Sequence, residues 1–281
     1  GLDVELLGFE GGTQALRGGI ARGLDLAWSS GDPIIIARAR GGPIRALYSS
    51  AAKLSVSMVV SGEIKEPKDL RGKKIGIQEV GAFVEVHSRN VMALGGLTPR
   101  DVQYVTVSTA GRVQALLIGH VDTGILHVEQ GIRALKRKPS LRVLANIWEV
   151  VPDWWYSGVM VHEKTLAEDR RAIVGAIRSM MRANRFIYQN RDETVRIVVK
   201  HGGYSPDEIG PTYDILTKGG IFSVHDGMPR KMIEYTIEKL VENGRIPRDK
   251  RPTYEQVVDA SVAREALEKV GRWTGEPRLD Y

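Results

Sequence analysis

Apolar residues alternate with polar ones at Leu2, Val4 and Leu6, and the run closes on Gly11-Gly12 before a helical spacing begins at Leu16 and Ile20. Period two followed by period 3.6, with glycine at the handover, predicts a strand over Val4–Gly8 and a helix over Thr13–Ala21. The same exchange of periods recurs through the first half of the chain. Strands are expected at Leu24–Trp28, Ile44–Ser49, Val56–Val60, Lys74–Gln78, Val102–Val107, Thr123–Leu126 and Val143–Ile147. Helices are expected at Pro33–Ala39, Phe83–Leu94, Gly111–Gly119 and Val128–Arg137. Strand alternating with helix argues for an α/β fold with doubly wound parallel sheets.

Beyond Val161 the pattern changes to helix after helix. Arg170–Gln189 carries a stripe of Ile173, Ala176, Ile177, Met180, Ala183 and Ile187 at helical spacing. Further helices are expected at Asp192–Lys200, Ser205–Leu216, Pro229–Asn243 and Tyr254–Val270. Ser205-Pro206-Asp207-Glu208 joins a serine cap, a proline at the first helical position and two first-turn acids, a strong start signal. No repeat or low-complexity linker interrupts the chain, so two lobes would have to be joined by structured crossover strands.

Composition narrows the class. A chain of 281 residues with 42% hydrophobic and 26% charged residues can bury a sizeable core. No apolar run approaches the roughly 18 residues of a membrane-spanning helix. The absence of cysteine removes disulfides, thiolate metal sites and cysteine nucleophiles from this sequence and leaves the compartment open. The net charge of +6 raises nucleic acid as a partner, and the densest basic run is Arg133 to Arg142. That run has neither interleaved aromatics nor a helix-turn-helix pattern, so it reads as a solvated helix end whose cations oppose the helix dipole.

Four separated motifs then carry a family resemblance. They are the Gly1-Leu2-Asp3-Val4-Glu5-Leu6 start with Phe9 and Gly11-Gly12, and the Ala37-Arg38-Ala39 helix end with Pro43-Ile44. Ile64-Lys65, Pro67, Asp69-Leu70 and Gly72 to Ile77 form the third; Arg112, Ala115-Leu116, Gly119 and Val121-Asp122 form the fourth. In this order the motifs resemble the solute-binding proteins of ABC importers in the nitrate/sulfonate/taurine and thiamine-precursor group, from Gly1 to about Trp273. The resemblance implies a two-lobed type II periplasmic-binding-protein-like fold, each lobe a sheet flanked by helices, joined by two crossover strands. Lobe I would comprise 1–63 and 156–281, lobe II 64–155, with hinge strands near Val56–Val60 and Gly158–His162. In the family a first strand and helix precede the opening motif, which implies such a unit ahead of Gly1, where an export signal or lipid-anchor cysteine would also lie.

A binder of this type holds its ligand in the cleft between lobes, at loops following the strand ends. The candidates are Gly11, Gly12 and Thr13, whose N–H groups and hydroxyl could face a ligand or serve as turn and helix cap. Trp28, Ser29 and Ser30 resemble the family's hydroxyl-bearing turn before Gly31-Asp32-Pro33. Gln78, Gly81, Ala82 and Phe83 stand where sulfonate-binding relatives carry hydroxyls; here the backbone donors remain, the hydroxyls are gone, and Phe83 offers an apolar wall. Ser108 and Thr109 end another strand, and an ordinary cap is the competing role. His127 precedes Glu129, which replaces the family's proline, and a lone histidine is more often structural than ligand-binding. Trp154, Trp155 and Tyr156 make a run of three aromatics at a crossover, suited to stacking on a ring or to hinge packing. One of Trp154 and Tyr156, or else Trp155, is expected to touch ligand.

The six histidines, His87, His120, His127, His162, His201 and His225, are scattered without metal-ligand spacing, and no nucleophile elbow or dinucleotide fingerprint occurs. No catalytic residue, metal or cofactor is expected. The resemblance therefore implies capture of a small organic anion, such as an aromatic carboxylate or sulfonate, by hinge closure. Its partners would be that small molecule and a membrane ABC permease, with no nucleic acid. The protein would be a monomer in the periplasm or anchored at the cell surface. Two alternatives stay open: an enzyme on the same fold, desulfinase- or decarboxylase-like, with its catalytic residue ahead of Gly1, and the sensing domain of a regulator.

Overall fold

A computed structural model describes residues 1–279. Helix α1 (Gly12–Ile20) leads to strand β1 (Ala27–Ser30), α2 (Gly31–Ala39), β2 (Ile44–Tyr48) and β3 (Val56–Ser61). Next come β4 (Lys74–Ile77), α3 (Phe83–Leu94), β5 (Gln103–Thr106), α4 (Arg112–Leu117), β6 (Thr123–His127) and α5 (Val128–Arg137). They are followed by β7 (Leu141–Asn146), the one-turn α6 (Ile147–Val150) and β8 (Ser157–His162). The helical part comprises α7 (Glu163–Gln189), α8 (Arg191–Gly202), α9 (Pro206–Lys218), α10 (Arg230–Glu242), α11 (Tyr254–Val257) and α12 (Ala260–Val270).

The chain divides into two compact units, each with its own sheet flanked by helices. Unit 1 gathers Gly1–Lys53, Asp153–Ile197 and the chain from Asp214 onward; unit 2 gathers Leu54–Pro152 and Val198–Tyr213. The sequence reading kept 54–63 and the whole segment after Tyr156 in the first lobe. Residues 56–61 instead build a sheet with β6 and β7, and 198–213 packs with the second unit.

In unit 1 the sheet runs β1-β8-β2, and β8 is antiparallel to both neighbours. All six β8 residues are buried, as expected of a strand covered on both faces. In unit 2 the order is β5-β4-β6-β3-β7. There β4 pairs parallel with β5 and β6, whereas β3 pairs antiparallel with β6 and β7. The parallel sheets expected from strand-helix alternation are thus confined to part of unit 2. Returning strands supply the antiparallel pairs, which local periodicity does not encode.

Three elements differ from the sequence reading for identifiable reasons. The expected strand at Val4–Gly8 is not one: residues 1–9 form no ladder with any described residue, and Leu6 is 90% exposed. Alternation predicts a strand only where a ladder partner exists. The expected helix Tyr254–Val270 is two helices. Between them Val258 bridges to Ala46, the Asp259 N–H donates to the Ala46 carbonyl, and Asp259 caps Ser261 at 3.0 Å. In α7 the buried face follows Ile173, Ile177 and Met181 but then takes Asn184 and Arg185, leaving Ala183 exposed. Asn184 donates to Tyr48 Oη and to the Ser50 and Ser223 carbonyls, each at 2.8 Å. Arg185 donates to the Val224 and Gly271 carbonyls at 3.0 and 2.7 Å. Buried polar groups of this kind are tolerated because they are paired.

Two cations of α5 hold the segment 198–213: Lys136 Nζ donates to the Asp207 carbonyl at 2.8 Å, and Arg133 makes several contacts. Arg133 forks onto Glu208 at 2.8 and 3.0 Å, donates to the Gly203 carbonyl at 2.7 Å, and lies 3.9 Å from the Tyr204 ring centroid. These bonds hold the Glu208 carboxyl down to about 2, against the opposing effect of burial. Arg133→Ala is expected to lower the stability of unit 2 by about 2–3 kcal/mol in urea unfolding. Unfolded glutamate protonates near 4.5, so the unfolded chain takes up protons before Glu208 does as the pH falls. The contribution of the clamp is therefore whole above about pH 4.5 and is lost as the pH drops through about 2. A wild-type acid-unfolding profile that matches that of the variant would refute this.

Candidate functional site

In unit 1 the candidate residues converge on the start of α1 and the junction of β1 with α2. Gly11 is the N-cap of α1, and no side chain caps the first turn that Gly12 and Thr13 begin. The first N–H groups of a helix have no intrahelical acceptor and carry partial positive charge, so this end suits a negative or acceptor group. Ser29 and Ser30 were expected in the loop after the strand; they belong to β1, and the helix begins at Gly31 with no intervening loop. Ser29 is fully buried, and its hydroxyl has no hydrogen-bond partner among the described residues. A Cβ on Gly12 would lie 3.0 Å from Ser29 Oγ, so the hydroxyl points at the α1 start. Ser30 is 8% exposed and caps α2 without a side-chain bond.

The aromatic run closes the other side of the same junction. Trp154 and Trp155 are fully buried and Tyr156 nearly so. The Gly31 N–H donates to the Tyr156 carbonyl at 2.8 Å, and the Trp155 N–H donates to Thr236 Oγ1 at 2.8 Å. Position 31 must be glycine for steric reasons: a Cβ there would lie 2.5 Å from Trp155 Cε3 and 2.6 Å from its carbonyl oxygen. Trp28, 42% exposed, meets Tyr156 edge to face with ring centroids 6.0 Å apart. Of the four aromatics, Trp28 presents the most surface to solvent.

In unit 2 three candidates belong to one hydrogen-bonded cluster, and the others contact residues close in sequence. Gln78 Nε2 donates to Thr109 Oγ1 at 3.1 Å, and Gln130 Nε2 to the Thr109 carbonyl at 3.3 Å. The His127 N–H donates to Gln130 Oε1 at 3.3 Å, so Gln130 ties three candidates together. Phe83 meets His87 edge to face at 4.4 Å, and Ala82 is buried beside it. Ser108 uses its hydroxyl oxygen to accept the Gly111 N–H at 3.1 Å, the capping role. Two of the backbone donors expected to remain in the Gln78–Phe83 loop are engaged. The Gly81 N–H donates to Glu85 Oε2 at 3.1 Å and the Ala82 N–H to the Glu79 carbonyl at 3.2 Å.

Electrostatics add residues that were absent from the candidate set. Arg112 is 4% exposed and donates to the Ile125 carbonyl at 2.6 Å. Burial, reinforced by the Arg112 charge, lowers the His127 imidazole to about 4, so the ring is neutral at pH 7. Burial raises Glu129, opposed by its own backbone N–H and by Arg112 and Arg133. In unit 1 burial pushes the Asp32 carboxyl up to about 7, against smaller pulls from its own backbone N–H and from Arg245. The fourth motif contained Arg112, and a signal for Asp32 lay in Gly31-Asp32-Pro33, an acid in a first helical turn. Both patterns are ordinary helix-start chemistry. Among the described residues no group of three or more histidine, aspartate and glutamate side chains is placed to hold a metal ion. None of the described helices is long and apolar enough to cross a membrane.

Comparison with known proteins fits this geometry. Residues 1–194 match the family described as NMT1/THI5 like. No curated protein matches the chain in sequence. Among solved structures, the ligand-binding component of an ABC-type import system from Staphylococcus aureus, with zinc bound, is 15% identical with a TM-score of 0.76. That match covers 93% of this chain and 87% of the other. The periplasmic nitrate-binding protein NrtA from Synechocystis PCC 6803 is 14% identical with a TM-score of 0.76, covering 95% and 81%. The alkanesulfonate-binding protein SsuA from Xanthomonas axonopodis pv. citri, bound to MOPS, is 17% identical with a TM-score of 0.70, covering 89% and 85%. At these identities the likeness establishes the fold: two α/β units of the periplasmic-binding-protein kind.

Asp32 makes the site junction pH-sensitive. The folded chain keeps the Asp32 proton up to about pH 7, whereas the unfolded carboxyl releases it near 3.8. The folded state thus binds more protons across that window, and its stability falls as the pH rises from about 4 to about 7, then levels off. Asp32→Asn removes this slope. Between pH 5.5 and pH 8 the variant is expected to gain about 2 kcal/mol relative to wild type in urea unfolding. A difference that stays constant between the two pH values would show that Asp32 ionises normally.

Proposed function

The chain belongs to the NMT1/THI5-like family, and on that footing we propose that it captures a small organic solute outside the cytoplasmic membrane for delivery to an ABC permease. The protein acts by binding, without chemistry on the solute, and as a monomer. The observation that carries this reading is the pairing of an uncapped α1 N-terminus with the buried, unpartnered Ser29 hydroxyl. A buried hydroxyl without a partner is unfavourable by about 1–3 kcal/mol. It is retained where a ligand supplies the missing bond. The N–H groups at Gly12 and Thr13 complement an acceptor or anionic head, in keeping with a small organic anion. Trp28, half-exposed against Tyr156, offers area to the organic body. Within unit 2, the neutral His127 and the Gln78–Thr109–Gln130 cluster are polar groups that a solute could engage.

The reading makes opposite demands on one substitution. Ser29→Ala removes an unsatisfied buried hydroxyl, so the empty variant is expected to be as stable as wild type or more stable in thermal unfolding. The same change removes a ligand bond, so affinity for the solute that binds wild type is expected to fall by about 0.5–1.5 kcal/mol, roughly 2- to 12-fold. Calorimetric titration with a panel of small carboxylates and sulfonates measures the second effect. If no member of the panel binds, the organic-anion assignment fails. If Ser29→Ala binds as wild type does, the placement of the head group at α1 fails.

A further inference from the structure

The turns that lead into α1 and α3 differ, although neither helix start carries a side-chain cap. In unit 2 the turn into α3 already holds an anion of the protein's own. Gly81 has a φ of +89°, a left-handed backbone that favours glycine, and this turns its N–H toward the helix it precedes. That N–H donates to Glu85 Oε2 at 3.1 Å, and the Glu85 side chain is fully buried. Glu85 also pairs with Arg89 one helical turn on, and the Glu85 carbonyl accepts the Ser88 hydroxyl at 2.8 Å. The next amide, at Ala82, is consumed by the Glu79 carbonyl. A ligand oxyanion brought to this turn would lose the Gly81 N–H as a donor and would sit beside a buried carboxylate. Like charges in a poorly solvated site repel strongly.

We propose that Glu85 is a specificity-determining residue of the binding site: its carboxylate takes the Gly81 N–H and keeps oxyanions off the start of α3. The inference rests on the solute-capture reading and narrows it. The β4–α3 turn then meets a solute only through an uncharged part of it. Selectivity of this kind comes from a contact that disfavours the wrong ligand. Phe83, the first residue of α3 and edge to face with His87, gives that part of the turn an apolar character in keeping with the assignment.

The test is an amide-resolved titration of the full 15N-labelled chain with sodium methanesulfonate at constant ionic strength. In wild type the Gly81 resonance is expected to stay in place while Gly12 shifts saturably. In Glu85→Ala/Arg89→Ala the Gly81 resonance is expected to shift saturably as well, with affinity at that amide raised at least about tenfold. Removing Arg89 together with Glu85 ensures that a liberated guanidinium does not attract the anion. Glu85→Gln, which keeps the side-chain shape, is the second variant should the double change unfold the protein, and its Gly81 resonance is expected to respond in the same direction. A saturable Gly81 shift in wild type overturns the proposal without any variant. So does a folded variant of either kind whose Gly81 resonance stays still. If Gly12 stays still while Gly81 behaves as expected, the head-group placement at α1 is rejected and the closing role of Glu85 stands.

Discussion

Unit 1 depends on one strand finding two partners. β8 must insert between β1 and β2, pairing Ala27 with Met160 on one edge and Ile44 with His162 on the other. The residues leading into β8 are fixed by the same act. The Tyr156 N–H reaches the Ala52 carbonyl at 2.8 Å, Ser157 Oγ donates to the Ala51 carbonyl at 2.9 Å, and the Tyr156 carbonyl receives the Gly31 N–H. Through these bonds the central strand sets where α2 begins. Through the Trp155 side chain it also requires that position 31 carry no Cβ. The Ser29 hydroxyl and the Asp32 carboxyl, both buried without good partners, lie on either side of that fixed point. A hydrogen-bonded backbone can hold underpaired side chains in place.

Much of this architecture could be read from residue patterns. The strands β2 to β6 and helices α3 and α5 follow their apolar periods closely, because each has one face on a sheet or core and no competing local signal. Patterns failed where the outcome depends on distant chain. The alternation of Leu2, Val4 and Leu6 has the form of a strand, but no ladder partner meets it, and pairing is a long-range fact. In α7 the expected stripe ran through Met180, Ala183 and Ile187, whereas the buried face takes Met181, Asn184 and Arg185, the last two bonded to carbonyls from three other segments. Helix periodicity cannot report acceptors that arrive from elsewhere in the chain.

The candidate site was legible as a set of positions and less so as a set of roles. Gly12 and Ser29 were named from separate motifs, and the fold brings them into contact. Gln78, Thr109 and His127 were named from separate strand ends, and they are joined through Gln130, which no motif singled out. The three aromatics were read, from their run at a crossover, as suited either to stacking on a ring or to hinge packing. Their near-complete burial ties Trp154 and Trp155 to the packing of unit 1 and leaves Trp28 as the accessible ring. Glu85 and Asp32 escaped notice for a common reason: an acid in a first helical turn is an ordinary helix signal, and only burial distinguishes a solvated cap from a trapped charge.

Neither unit is written in the sequence as one uninterrupted stretch. Unit 1 is assembled from three stretches of chain, and unit 2 borrows Val198–Tyr213 from between two of them. A recombination event or an expression boundary placed after Lys53, Pro152 or Tyr213 would therefore part some strand or helix from the sheet it serves. The shortest run of codons that specifies all of unit 1 necessarily specifies all of unit 2. A single crossover between relatives therefore cannot exchange one whole unit and leave the other intact.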